Sequence, residues 1–463
     1  MGWTMIKSLM INNYKSLQMG ERIDIGQLTI LAGKNNVGKS ATIQALLDIA
    51  KYNDITDNLN LSYEPLLSNF FRKVHNNDLE SDISFYMEID INNKIYKTSY
   101  KFSYDIKSKS GFISYFKIEL IDTKLNISLE MNKKKLKSPY KVVANQIIEP
   151  IFAKVKDGVE ELPSIFEGEG DVIFMGFVPL QIHFSFKNNP ELNKWFDEDE
   201  DEDEDNVVFS LPFTKHLLRH YSSVKYIGPI RSIPKEYYLL GERSSTIGSD
   251  GEETIDVLDL LKDKKVKFYK EVSDKALTNI SLLEAVQYWI EYFTGVGFEL
   301  KDITDNLVQV LVNGHPINHS GFGISQLLPI IVQSLLMPEG SILFLEQPEI
   351  HLHPDLEMKL AIFLLCMVKN NRQIIAETHS EHIINQLTIS KLDDINIDKL
   401  MRIYFFNKDG AAVDIKEIKI DNRGAIKNWP DGFFDQYLNF TKELMIRRKE
   451  RAKKILKQDP DDK

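Results

Sequence analysis

The sequence predicts an α/β fold: a mixed sheet flanked by helices, split by a long β-rich and partly helical insertion, with a short α+β extension at the C-terminal end. Three observations carry this. The apolar run Leu28-Thr29-Ile30-Leu31-Ala32 passes through a glycine turn into helical spacing at Thr42-Ile43-Gln44-Ala45-Leu46-Leu47. A second short run, Ser341-Ile342-Leu343-Phe344-Leu345, ends in Glu346, and a third, Arg372 to Ala376, ends in Glu377 and the tip Thr378-His379-Ser380. Short, uniformly apolar runs with polar ends read as strands covered on both faces.

The first element is a strand over residues 5–11, a turn at 12–16, a short strand at 23–25, and then the strand–loop–helix unit. Its loop, Gly33-Lys34-Asn35-Asn36-Val37-Gly38-Lys39-Ser40, is the G-x-x-x-x-G-K-S pattern of a P-loop. Glycines at those two positions let backbone N–H groups turn inward around phosphates, and the helix N-terminus adds partial positive charge. Lys39 would neutralise phosphate charge, and the Ser40 hydroxyl would ligate Mg²⁺. A glycine turn that merely caps a helix gives no reason for a lysine and a serine after the second glycine. Gly33, Asn35, Asn36, Val37, Gly38, Lys39, Ser40 and Ala41 are the candidate ATP-binding residues, with ATP and Mg²⁺ the expected ligands.

The insertion follows. Residues 83–91 alternate, Asn92-Asn93 turns, and 94–102 alternate again, a strong hairpin signal continued by 113–121. Residues 197–205 are an unbroken run of Asp and Glu. Like charges at that density cannot pack, so a solvated, disordered loop is expected there. Order returns at 216–218 and at Tyr226-Ile227-Gly228-Pro229-Ile230-Arg231. Spacing predicts a helix from Asp274 to Phe293, then a strand pair at 298–303 and 307–312. The expected divisions are 1–51, first part of the head; 52–225, insertion; 226–415, second part of the head; and 416–463, extension.

Glu346 closes a buried strand, where a Walker B carboxylate would reach Mg²⁺ beside the P-loop; a strand ending in a polar turn is the alternative. His379 ends the next strand, where a neutral imidazole can bond the γ-phosphate or the attacking water. Before these, Gly321-Phe322-Gly323-Ile324-Ser325-Gln326 opens an apolar helix, a second anion-binding terminus. The charge of −11 argues against a nucleic-acid-binding surface over the whole molecule. A single cysteine, Cys366, excludes a disulfide framework. The absence of any apolar stretch of about 18 residues leads to the expectation of a cytoplasmic protein with no membrane partner. Residues 442–457 form a basic stretch that reads as a solvated helix or as a contact with nucleic acid or an effector.

P-loop, long insertion, glycine-rich helix start, acidic strand end and histidine follow the order of ABC-type ATPase heads. Asn36-Val37-Gly38-Lys39-Ser40, the stretch from Gly321 to Pro329, Glu346-Gln347-Pro348-Glu349-Ile350-His351-Leu352-His353-Pro354 and Glu377-Thr378-His379-Ser380-Glu381-His382 resemble the OLD/RecF-like AAA family ATPases of prokaryotes. Tyr226 to Arg231 and Asn428 to Asp435 resemble a subgroup with its own C-terminal domain, and defence ATPases of the Septu type are similar. The resemblance implies an ABC-type P-loop head with Lys39 and Ser40 on phosphate and Mg²⁺, Glu346 as the Walker B metal ligand and His379 as the switch histidine. It also implies a signature helix start, with Gly321, Gly323, Ser325 and Gln326 acting in trans across a head-to-head dimer inside a larger assembly. His353 would lie at that dimer interface.

One departure matters. ABC heads follow the Walker B acid with a glutamate that positions water; here Gln347 stands there, so hydrolysis is expected to be slow, or Glu349 serves as base. OLD enzymes carry a Toprim nuclease after the ATPase, and about 80 residues after His379 are too few for one with its metal ligands. The expectation is an ATP-hydrolysing sensor of anti-phage defence that controls a separate effector, a nuclease by class, with DNA as a further possible partner. The alternatives are a repair ATPase of the RecF/SMC type and an ATP-gated scaffold with negligible turnover.

Overall fold

Leu28–Gly33 lies inside a six-stranded sheet whose order is Val224–Ile227, Ile342–Glu346, Gln373–Thr378, Leu28–Gly33, Met401–Asp409 and Ala412–Glu417. The first five are mutually parallel and the last is an antiparallel edge. The computed structural model describes residues 4–52, 70–121, 125–131, 140–144, 150–152, 166–175, 177–185, 188–195, 206–211, 213–241, 246–394, 396–409, 412–421, 423–426, 430 and 443–449. The acidic run 197–205, most of the 428–435 motif and the basic stretch beyond 449 lie outside them.

The uniformly apolar strands feed two cores because successive side chains point to opposite faces. Leu31, Phe344, Ile375, Tyr404 and Phe406 join the core shared with the helix Lys39–Tyr52. Ile30, Ala32, Leu343, Leu345, Ile374 and Ala376 join the other, with the helices Leu282–Thr294, Phe322–Leu336, Pro354–Lys369 and Glu381–Asp393. The P-loop helix is thus packed between the parallel sheet and a second, twelve-stranded antiparallel sheet.

That second sheet contains the expected hairpin, Ile83–Ile91 with Lys94–Asp105, continued by Ser110–Leu120 and Leu125–Glu130. It reaches back across residue 51, since Thr4–Tyr14 pairs antiparallel with Ile83–Ile91. The insertion is therefore built onto the N-terminal strand, and it extends through Val178–Ser185 and Asn206–Ser210. One buried side chain stitches the two sheets. Gln373 accepts from the Ile6 amide at 2.9 Å and donates to the Ile6 and Gly26 carbonyls, each at 2.8 Å. Gln373→Leu leaves those buried backbone groups short of partners and should cost about 3 kcal/mol of stability, read by urea unfolding.

Helix 274–293 was expected to start earlier than it does. Thr278–Ser281 is a strand paired with Lys265–Phe268, and the helix runs Leu282–Thr294. Ser281 and Glu284 form a capping box, a local signal that overrides the apolar spacing upstream of it. Among the described residues no helix is long and apolar enough to cross a membrane.

His220, on the helix Thr214–Ser222, is fully buried, and its Nδ1 has no partner among the described residues. Burial pulls its pKa down to about 3. Between that value and the ordinary 6.5 the unfolded chain binds the proton and the folded chain does not. Stability is therefore present above about pH 6.5 and is lost as pH falls, by up to about 1.4 kcal/mol per pH unit from this group. His220→Leu should flatten that decline in unfolding curves taken from about pH 6.5 down to about pH 4.5.

Candidate functional site: a P-loop at the strand ends

The carboxyl ends of the parallel strands converge, and the loop 33–38 crosses them. Both loop glycines are required by the backbone. Gly33 has φ +139 and an added Cβ would stand 2.2 Å from the Phe406 carbonyl oxygen; Gly38 has φ +107 and a Cβ there would meet Leu17 Cδ2 at 2.8 Å. Asn35 and Asn36 are exposed at the tip, Val37 and Ala41 are buried beneath it, and Ser40 is half-buried in the first helical turn. Lys39 is buried, with Nζ donating to the Gly33 carbonyl at 3.0 Å and the Lys34 carbonyl at 2.6 Å. The ammonium group is curled into the loop that a phosphate would occupy.

Glu346 and Glu377 are register partners on adjacent strands. Burial, and after it the nearby Glu346 carboxylate, raises the Tyr226 pKa. Glu377 Oε1 lies 3.7 Å from Lys39 Nζ and 4.0 Å from His379 Nε2. Burial lowers the Lys39 pKa, opposed by Glu377 and then Glu349. The His379 pKa is lowered by burial and then by Lys39, against a bond to the Gly33 backbone, so the ring is neutral near pH 7. The His379 backbone N–H donates to Glu349 Oε1 at 2.7 Å. Burial raises the Glu349 pKa, the direction a general base at neutral pH needs. Gln347 sits between, half-buried, in the left-handed region with φ 44.

Six expected residues therefore meet at one sheet end: Gly33, Lys39, Glu346, Gln347, Glu349 and His379. The glycine-rich helix start does not join them. Phe322 packs its ring on His351 at 5.7 Å, and a Cβ on Gly323 would lie 3.3 Å from the His351 carbonyl oxygen. Gly321 is exposed as the N-cap, whereas Ser325 and Gln326 are buried within the protomer, with Ser325 Oγ bonded to the Phe322 carbonyl at 2.7 Å. The surface available to a second chain thus narrows from four residues to the helix start. His353 is exposed and caps the helix Pro354–Lys369 by accepting from the Asp355 amide at 3.3 Å.

The residues fit a Mg²⁺-bound nucleoside triphosphate. Both loop glycines hold φ values that side-chain-bearing residues rarely adopt, the backbone a phosphate-binding loop needs, and Lys39 reaches into that loop. Glu377 Oε2, Glu349 Oε2 and His379 Nε2 are buried polar atoms with no partner among the described residues. Polar atoms left idle in one cleft are what an incoming polar ligand satisfies.

Residues 5–384 match the family described as AAA ATPase domain. The chain belongs to that family. Residues 399–444 of this ATPase match a second family, Protein of unknown function (DUF3696). No curated protein matches the chain. Two similar solved structures are an SmcHead bound to the C-winged helix domain of ScpA and an SMC head domain from Thermotoga maritima. The first has TM-score 0.40 and 9% identity over 90% of this chain and 98% of that one; the second has 0.36 and 11% over 90% and 99%.

Sequence reasoning missed two members of this cluster. Glu377 touches both Lys39 and His379, and Arg231 donates to the Glu346 and Gln347 carbonyls at 3.2 Å each. Glu377 stands one residue before the end of its strand and Glu346 at the end of its own, which was a usable signal. Arg231 follows a strand and a Gly-Pro turn, a weaker one.

Proposed function

We propose that this ATPase is the sensor or regulatory subunit of an anti-phage defence system, closing head to head on ATP and controlling a separate effector, a nuclease by class. The observation that carries it is the turn after Glu346. Gln347 can orient a water but cannot take its proton, and the half-buried Glu349 two residues on is tied to the backbone of His379. Such a site holds ATP longer than it turns it over, which suits a switch.

In this reading the loop N–H groups and Lys39 bind the phosphates, with Lys39 exchanging the Gly33 and Lys34 carbonyls for phosphate oxygens. Mg²⁺, held by Ser40, Glu346 and the substrate's own phosphates, supplies charge neutralisation at the transferring group when bound. Gln347 orients the attacking water, Glu349 accepts its proton, and the neutral His379 ring donates to or accepts from the terminal phosphate. The Gly321-to-Gly323 helix start of a second copy closes the site, because its contacts within the protomer leave it turned to solvent.

The test is phage challenge of cells carrying this gene with its neighbours, with wild-type or Lys39→Ala protein, and recovery of tagged protein in ATP. Loss of protection in the variant and a stoichiometric partner on the wild type are expected. Full protection by the variant would overturn the reading.

A further inference from the structure

The segment after the outer strand Val224–Ile227 alternates. Ile230 and Ile233 face solvent, 84% and 71% exposed, while Arg231 between them turns inward at 5%. Its Nη2 donates to the carbonyl oxygens of Glu346 and Gln347, each at 3.2 Å. Nε and Nη1 are buried and have no acceptor among the described residues. The other buried arginine of this sheet, Arg372, differs: Nε, Nη1 and Nη2 all have partners, in Met337, Met367, Lys267 and Leu335. Arg372 is a static brace. Arg231 holds a turn while keeping donors in reserve.

The turn it holds is strained. Gln347 is a non-glycine residue in the left-handed region, φ 44, and its amide donates to the Glu377 carbonyl at 2.9 Å. Arg231 grips one side of that residue and the neighbouring strand grips the other. Strained backbone persists where surrounding contacts over-determine it, and such positions gather at functional sites. Burial draws the Arg231 pKa down to about 10, with Glu349 opposing the fall, so the group stays a cation at neutral pH.

We propose that Arg231 is a positioning residue for ATP hydrolysis: it fixes the Glu346 and Gln347 carbonyls, and through them the side chains of Gln347 and Glu349, in the geometry that hydrolysis needs. This rests on the reading of Glu346, Gln347 and Glu349 as hydrolytic residues. A clamp of this kind acts on the chemical step and leaves ground-state binding alone.

The experiment measures ATP binding at equilibrium, kcat and melting temperature for wild type, Arg231→Ala, Arg231→Lys and Lys39→Ala. For Arg231→Ala, kcat should fall about a hundredfold while the ATP dissociation constant stays within about threefold. Arg231→Lys keeps the charge but not the planar fork, so kcat should recover only to about a tenth of wild type. A folded Arg231→Ala with kcat within about twofold of wild type overturns the inference, as does a parallel loss of kcat and affinity. Should Arg231→Ala not fold, Arg231→Lys decides: kcat within about twofold of wild type overturns the proposal, and a selective kcat loss supports it. Wild-type protein that does not bind ATP overturns the underlying site reading itself. Binding by wild type but not by Lys39→Ala upholds that reading whatever Arg231 does.

Discussion

Lys39→Ala is expected to weaken ATP binding by at least about a hundredfold, since two charge-assisted hydrogen bonds to phosphate contribute about 3 kcal/mol or more. Hydrolysis should drop to background. The reason lies in where the ammonium group sits. It is buried, and the only oxygens it reaches with hydrogen bonds among the described residues are the Gly33 and Lys34 carbonyls, which belong to the loop itself. Phosphate oxygens would replace those carbonyls with charged acceptors, so each of these bonds strengthens on binding. Alanine also leaves the buried Glu377 carboxylate without the cation 3.7 Å away, which adds repulsion against an anionic ligand. Isothermal titration with Mg²⁺ and ATP checks this, with unfolding curves to confirm that the variant is folded. Binding within about tenfold of wild type would show that the loop does not hold the phosphates through Lys39.

The second large effect concerns Gln347 and Glu349, one and three residues after Glu346. Glu349→Gln should lower kcat by about 10²- to 10⁴-fold, the usual contribution of a positioned general base, with ATP affinity little changed. The amide oxygen can still accept the His379 N–H, so the loss reports basicity rather than a broken contact. Gln347→Glu should act in the opposite sense and raise kcat about tenfold, because it supplies a carboxylate where Gln347 can only orient water. Steady-state phosphate release on the two variants decides. If neither substitution changes turnover, the base lies elsewhere.

The P-loop was legible because all its determinants are local: two glycines, a lysine and a serine within eight residues, between a strand and a helix. The strand ends at Glu346 and His379 were legible for the same reason. What the linear pattern could not carry is pairing between distant strands. Glu377 becomes part of the site only because its strand lies between Ile342–Glu346 and Leu28–Gly33, in register with Glu346 on one side and Leu31 on the other. Arg231 enters because Ile227 pairs with Leu345, which delivers the next turn to the Glu346 and Gln347 carbonyls. Residues 5–11 read correctly as a strand, although it runs on to Tyr14 through residues expected to turn, and nothing near it in sequence says that its partner is Ile83–Ile91. The apolar spacing after Asp274 suggested a longer helix because periodicity alone does not see the stop imposed by a capping box at Ser281. The packing of the 347–353 turn on the start of the Phe322–Leu336 helix, His351 against Phe322, is likewise something no local pattern encodes.

The most direct test is phosphate release by the purified protein at saturating ATP and Mg²⁺, with Lys39→Ala in parallel. Slow turnover is expected, below about 1 s⁻¹ against a typical enzyme's roughly 10 s⁻¹, and it should vanish in the variant. Release that persists in Lys39→Ala, or none above background in wild type, would contradict a hydrolytic site at Gly33–Ser40.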